Sequence, residues 1–183
     1  MVATCRLAAI VRGFARGLGG RVPQHRLDDG QGASLGGRRK RGAEAQAIGR
    51  SRGGRTTKIH AVCDALGRAI AIEVTPGQLG DVRAAAQLLG QLPPSRRCAA
   101  DTAYDSNALR QFLRERRTLP VIPNNPTRKL FHTFDRKAYK SRNLIERAFC
   151  RLKDWRRVAT RYDKLARNFH AAVAIAAIII WWA

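Results

Sequence analysis

Hydrophobic and polar positions change their rhythm part-way along the chain. Residues 1 to 42 show no sustained period of two or 3.6, and Gly30, Gly32, Gly36 and Gly37 interrupt any helix. This stretch is expected to be poorly ordered. From Gly49 the pattern becomes regular. Thr57 to Asp64 (TKIHAVCD) combines β-branched residues with partial alternation and predicts a strand. Arg68 to Thr75 (RAIAIEVT) predicts a second strand, joined through Ala65-Leu66-Gly67 as a hairpin and ended by Pro76-Gly77. Asp81 is positioned to cap a helix reaching about Leu89. Arg96 to Asp101 predicts a short strand ending on an acid. Ser106 to Arg116 predicts a helix with Leu109, Phe112 and Leu113 on one face, and Leu119 to Ile122 a strand closed by Pro123. A basic loop, Asn124 to Thr133, precedes a long amphipathic helix from Lys137 to about Val158. A largely apolar helix, Leu165 to Trp182, comes last.

The order is strand, strand, helix, strand, helix, strand, helix, helix. A hairpin followed by crossover connections implies an α/β domain, a mixed sheet flanked by helices. An RNase H-like fold has this order with one more strand at its start. That strand would have to come from the irregular first 42 residues. The expectation is therefore an RNase H-like domain over residues 43–183 that lacks its first strand.

Charge narrows the function. Lys and Arg number 35 against 13 Asp and Glu, a net +22, which predicts a polyanionic partner, most simply nucleic acid. A sequence-indifferent basic binding protein satisfies this as well as an enzyme does. Cys5, Cys63, Cys98 and Cys150 form no CxxC pair and are read as reduced thiols of a cytoplasmic protein, without a zinc site. The apolar run Ala171 to Ala183 is shorter than the ~20 residues a membrane span needs, so a buried helix is expected and no membrane partner.

Two groups of residues could carry chemistry. Asp101 stands at the end of a strand, where ligand sites of α/β sheets collect. Asp105 is placed to cap the following helix, a duty Asp101 does not have. Tyr139, Arg142, Glu146 and Lys153, at offsets of three, four and seven, fall on neighbouring positions of one helical face. On spacing alone a solvated salt-bridge stripe is the better account, since Arg142 and Glu146 form an i,i+4 pair common on surface helices. Phosphodiester chemistry offers the other explanation, since carboxylates converging from separate elements hold divalent ions while cations grip phosphates. Asp101 on a strand and Glu146 on a helix suit the first role, and Arg142, Lys153 and Tyr139 the second.

The spacing Tyr139-x2-Arg142-x3-Glu146-x6-Lys153 resembles the Y-R-E-K signature of insertion-sequence DDE transposases. The text around it, Tyr139-Lys-Ser-Arg-Asn-Leu-Ile-Glu146 and Ala159-Thr-Arg-Tyr162-Asp-Lys-Leu, is similar to the IS-five type. So are the segments Gly49 to Gly54, Lys58-Ile-His60 and Ala100-Asp101-x2-Tyr104-Asp105-Ser106. The likeness covers about residues 42 to 183. It implies an RNase H-like domain with three metal-binding carboxylates, of which Asp101 is the second and Glu146 the third. It also implies Mg2+ as cofactor and DNA as partner, namely the element's inverted repeats and a target. Tyr139, Arg142 and Lys153 would contact that DNA, and the intact enzyme would form a homo-oligomer.

The family's first aspartate, in a block reading Asp-Ser-Thr-x-Val-Lys/Arg-Ala-His, is missing. Asp28 and Asp29 lie near its place with the wrong neighbours. Arg26 to Ser34 (RLDDGQGAS) can be encoded as CGA CTC GAC GAT GGT CAA GGC GCA TCG. Read from the second base, those bases give Asp-Ser-Thr-Met-Val-Lys-Ala-His. The first 42 residues are accordingly read as out-of-frame translation joined to the in-frame domain. The chain is expected to be inactive on its own.

Overall fold

The computed structural model describes residues 8–17, 46–51 and 54–183. Its strands are β1 (Ala8–Gly17), β2 (Gly49–Ser51), β3 (Gly54–Cys63), β4 (Ala69–Pro76), β5 (Arg97–Ala100), β6 (Leu119–Val121) and β7 (Thr160–Arg161). Its helices are α1 (Asp81–Gly90), α2 (Asn107–Glu115), α3 (Arg136–Tyr139), α4 (Asn143–Asp154), α5 (Arg156–Ala159) and α6 (Ala166–Trp181). Among the described residues seven strands join one sheet, in which β4, β3, β1, β5 and β6 lie side by side in that order. The β4–β3 and β3–β1 pairs are antiparallel, whereas β1–β5 and β5–β6 are parallel. Numbering those five by sequence gives the order 3-2-1-4-5 of an RNase H-like sheet, with the first strand at its centre.

That central strand corrects the expectation that the first strand is lacking. Ala8–Gly17 pairs with β3 from Ala9↔Cys63 to Arg16↔Thr56, and with β5 from Ala8↔Cys98 to Ile10↔Ala100. The sequence reading missed it because Arg12, Gly13 and Arg16 break any alternation. Sheet ladders are bonded through backbone N–H and C=O groups, so an apolar start such as Ala-Ala-Ile-Val can enter without a period of two. The remainder of the segment 1–42 lies outside the described residues.

The sheet has two covered faces, which explains the run of buried positions from Thr56 to Cys63 on β3. Ile59, Ala61 and Cys63 join Ala99, Val121, Ile145, Phe149, Leu152, Phe169 and Val173 in the layer under α4, α5 and α6. Val62, Cys98 and Ala100 join Leu88, Leu109, Leu113 and Tyr104 under α1 and α2. Full burial of one such Leu or Phe stabilises by roughly 1.5–3 kcal/mol.

Local details depart from the sequence reading in three places. The long helix expected from Lys137 to Val158 is divided into α3, a 3-10 turn (Lys140–Arg142), α4 and α5, with Trp155 extended (φ −76, ψ 105) between the last two. Gly80, not Asp81, caps α1, and the Asp81 carboxylate instead pairs with Lys58 Nζ at 2.9 Å. Ser106 caps α2, accepting from the Leu109 N–H at 3.1 Å, in place of Asp105. The hairpin is as expected. Gly67 closes it at φ +80, a conformation that suits a residue without a Cβ.

Candidate active site

Alternation along β5 decides where Asp101 stands. Ala99 faces the α4 layer and Ala100 the α1–α2 layer, so the chain returns to the α4 side at Asp101. Its Oδ1 accepts the Ala103 N–H at 2.8 Å and caps the 3-10 turn Thr102–Tyr104. Asp101 therefore does carry a capping duty, contrary to the sequence reading, and has one oxygen committed to it.

Tyr139, Arg142 and Glu146 come together across a change of helix type. Residues three apart eclipse one another on a 3-10 turn. The turn Lys140–Arg142 thus sets the Arg142 guanidinium 5.3 Å from the centre of the Tyr139 ring. One α-helical turn later Glu146 meets Arg142 Nη2 at 2.8 Å. Phe134 holds the other side of Tyr139 in an edge-to-face contact, with centroids 5.8 Å apart. Burial pushes the Tyr139 phenol above its ordinary value. Arg142 pulls it down, and the carboxylates of Asp101 and Glu146 both push it further up. Lys153 is exposed two helical turns beyond Glu146, about 10 Å along the axis, and lies outside this cluster.

Sequence reasoning missed Asp105. Its side chain is fully buried and accepts from Arg110 Nε (2.8 Å), Arg128 Nε (2.8 Å) and the Asn125 N–H (2.8 Å). Burial pushes this carboxyl up, but the Asn125 N–H and the two guanidiniums outweigh it and hold the group below the usual carboxylate range. An acid beside a helix start suggests only a cap; of its partners Arg110 is five positions away, but Arg128 and the Asn125 N–H are 23 and 20 positions away and are brought in by the fold. Arg161 was missed in the same way. It is 2% exposed and donates to the backbone carbonyls of Gln46, Ala47 and Asp163 and to Thr57 Oγ1, while lying over the Phe169 ring. His60, buried on β3, bonds to the Tyr104 hydroxyl (3.0 Å) and Thr75 Oγ1 (2.8 Å).

Residues 21–181 match the family model described as a transposase DDE domain. The chain belongs to the transposase DDE domain family. The match starts ahead of the boundary that the sequence reading set near residue 42. Over 127 residues the chain is 41% identical to a protein of Brucella ovis described as a transposase for insertion sequence element IS6501, covering 69% of this chain and 98% of that protein. Among solved structures it is similar to the catalytic core domain of BIV integrase (17% identity, TM-score 0.44, 67% of this chain and 73% of that one). It is also similar to the Mos1 transposase paired-end complex with left transposon end (14% identity, TM-score 0.38, 95% and 56%). The assignment rests on the family match and on the strand order, not on these two likenesses.

Transposase DDE domains generally use a divalent metal ion. The described residues of this transposase domain do not complete a site for one. Asp101 has an oxygen tied to Ala103, and Glu146 is paired with Arg142. The β1–β5 ladder ends at Ile10↔Ala100, one residue short of Asp101, and the ten residues of β1 (AAIVRGFARG) include no acid. Among the described residues no three His, Cys, Asp or Glu side chains are grouped to hold an ion. Among the same residues, no helix is long and apolar enough to cross a membrane.

Proposed function

We propose that this chain is the catalytic part of an insertion-sequence transposase that cuts and joins DNA at the inverted repeats of its element. Asp101 and Glu146 are its second and third metal-binding carboxylates, with Mg2+ as the metal of the intact site. Tyr139, Arg142 and Lys153 grip the DNA backbone, and the intact enzyme works as a homo-oligomer. One observation carries this reading: within a matched transposase DDE domain, Asp101 directly follows the parallel strand β5, and Glu146 stands on α4, the helix packed on the sheet face that Ala99 joins. A surface salt-bridge stripe accounts for Arg142 and Glu146 but gives no reason for Asp101 to join them.

With two carboxylates, this chain binds DNA without cutting it. Hydrated magnesium gives up its waters reluctantly, and two partly committed ligands hold it weakly. The first 42 residues are read as out-of-frame translation. An apolar run from a foreign frame can still fill the central strand, because the ladder needs backbone groups only. The gene tests this part directly: the bases for Arg26 to Arg41 must encode Asp-Ser-Thr-x-Val-Lys/Arg-Ala-His in another frame. The catalytic reading is tested in protein with that frame restored. Asp101→Asn and Glu146→Gln should each abolish cleavage of inverted-repeat duplex while DNA affinity stays within about threefold, a change of under 1 kcal/mol. Cleavage at the unmodified rate by either variant removes that residue from the site.

A further inference from the structure

The connection between β6 and α3 is braced far more than a surface loop requires. Asp105 anchors it through Arg128, by Nε at 2.8 Å and Nη2 at 3.1 Å, and through the Asn125 N–H. Arg128 Nη1 also donates to Asn107 Oδ1 at 2.6 Å. The Asn124 side chain ties the two ends together, donating to the His132 carbonyl (2.7 Å) and accepting the His132 N–H (2.8 Å). Beyond the clamp, Phe134 rests on Tyr139. Asp101 and this loop leave the sheet side by side, because β5 and β6 are parallel neighbours paired at Ala99↔Val121.

What this frame displays is apolar. Leu130 is 80% exposed and Phe131 68%, at the apex of the clamp. Exposing two large apolar side chains is unfavourable, and a loop held this firmly has no slack to tuck them in. Lys129, Arg136 and Lys137 are exposed around them, in a chain of net charge +22. An aromatic rimmed by cations suits nucleic acid better than an apolar protein partner: phosphates meet the cations and an unpaired base stacks on the ring.

We propose that Leu130 and Phe131 form a wedge that stacks against unpaired bases at the DNA end presented to the Asp101–Glu146 site. The proposal rests on the DNA-processing reading above. The cations hold the backbone on either side, and the clamp keeps the wedge extended before DNA arrives, so little ordering cost falls on binding.

Fluorescence anisotropy with the purified chain tests it, using blunt duplexes and duplexes with two unpaired terminal bases, one of them 2-aminopurine. The unmodified chain should prefer the unpaired end by about tenfold, as stacking on one aromatic ring supplies, and should quench the 2-aminopurine. Phe131→Ala should lose preference and quenching while its affinity for blunt duplex stays within about twofold. Phe131→Tyr should retain both. If Phe131→Ala keeps the preference, or the unmodified chain shows none while binding duplex, the wedge is wrong and the DNA reading stands. Failure of the unmodified chain to bind any duplex overturns both. Self-association that Phe131→Ala abolishes, with base preference unchanged, assigns the pair to a protein contact and overturns the wedge.

Discussion

At the scale of the residue, a few buried polar groups determine what the exposed ones can do. Asp105 is the clearest. Arg110 is 1% exposed, and without Asp105 its buried charge keeps only the Ile122 carbonyl, which accepts from Nη2 at 2.8 Å. Breaking a buried pair by removing one partner costs roughly 3–5 kcal/mol. Asp105→Ala should lower unfolding free energy by that amount in a urea titration, whereas an effect under about 1 kcal/mol would mean the clamp is not structural. The carboxyl is held below its unfolded value, so its contribution is fully present above the ordinary carboxylate range of about 4 and is lost as pH falls through the folded value. Unmodified chain should lose stability more steeply than Asp105→Asn as pH drops below about 4. Arg142 and Glu146 have less effect on stability, because Glu146 is about half exposed and such pairs contribute about 0–1 kcal/mol. Glu146→Gln should accordingly leave the urea midpoint nearly unchanged, which separates a loss of cleavage from a loss of fold.

At the scale of the element, the sequence was legible where periodicity and turn chemistry agree. The β3–β4 hairpin, with Gly67 at its turn, and the apolar face of α2 follow from local patterns. The strand ending at Asp101 was read from its apolar run, and the spacing from Tyr139 to Glu146 placed three side chains together. What was hidden depends on partners distant in sequence. β1 has no alternation, and its ladders to β3, β5 and β7 make it a strand. The 3-10 turn at Lys140–Arg142 has no local signal, yet it sets Tyr139 against Arg142. Arg161 looks like another surface cation in a chain rich in them. It is instead a buried staple between the segment before β2, the start of β3 and the start of α6. Arg161→Met should free Gln46 and Ala47 and raise amide hydrogen exchange across β2 and early β3 by at least tenfold, with α1 and α2 little changed. Unchanged protection at Thr56 and Thr57 would show that the staple is dispensable.

At the scale of the whole molecule, an RNase H-like sheet covered on both faces carries the proposed site near the end of β5, in a chain of net charge +22. That charge makes binding to any duplex steeply dependent on salt, through counterion release. As proposed, Asp101 and Glu146 are the two remaining carboxylates of a metal-dependent site whose first acid is lost with the block near Asp28 and Asp29. This is tested most directly by incubating end-labelled inverted-repeat duplex with the purified chain and Mg2+, then reading retardation and nicking from the same samples. The expected result is retarded, uncut DNA. Robust Mg2+-dependent nicking by this chain would contradict it.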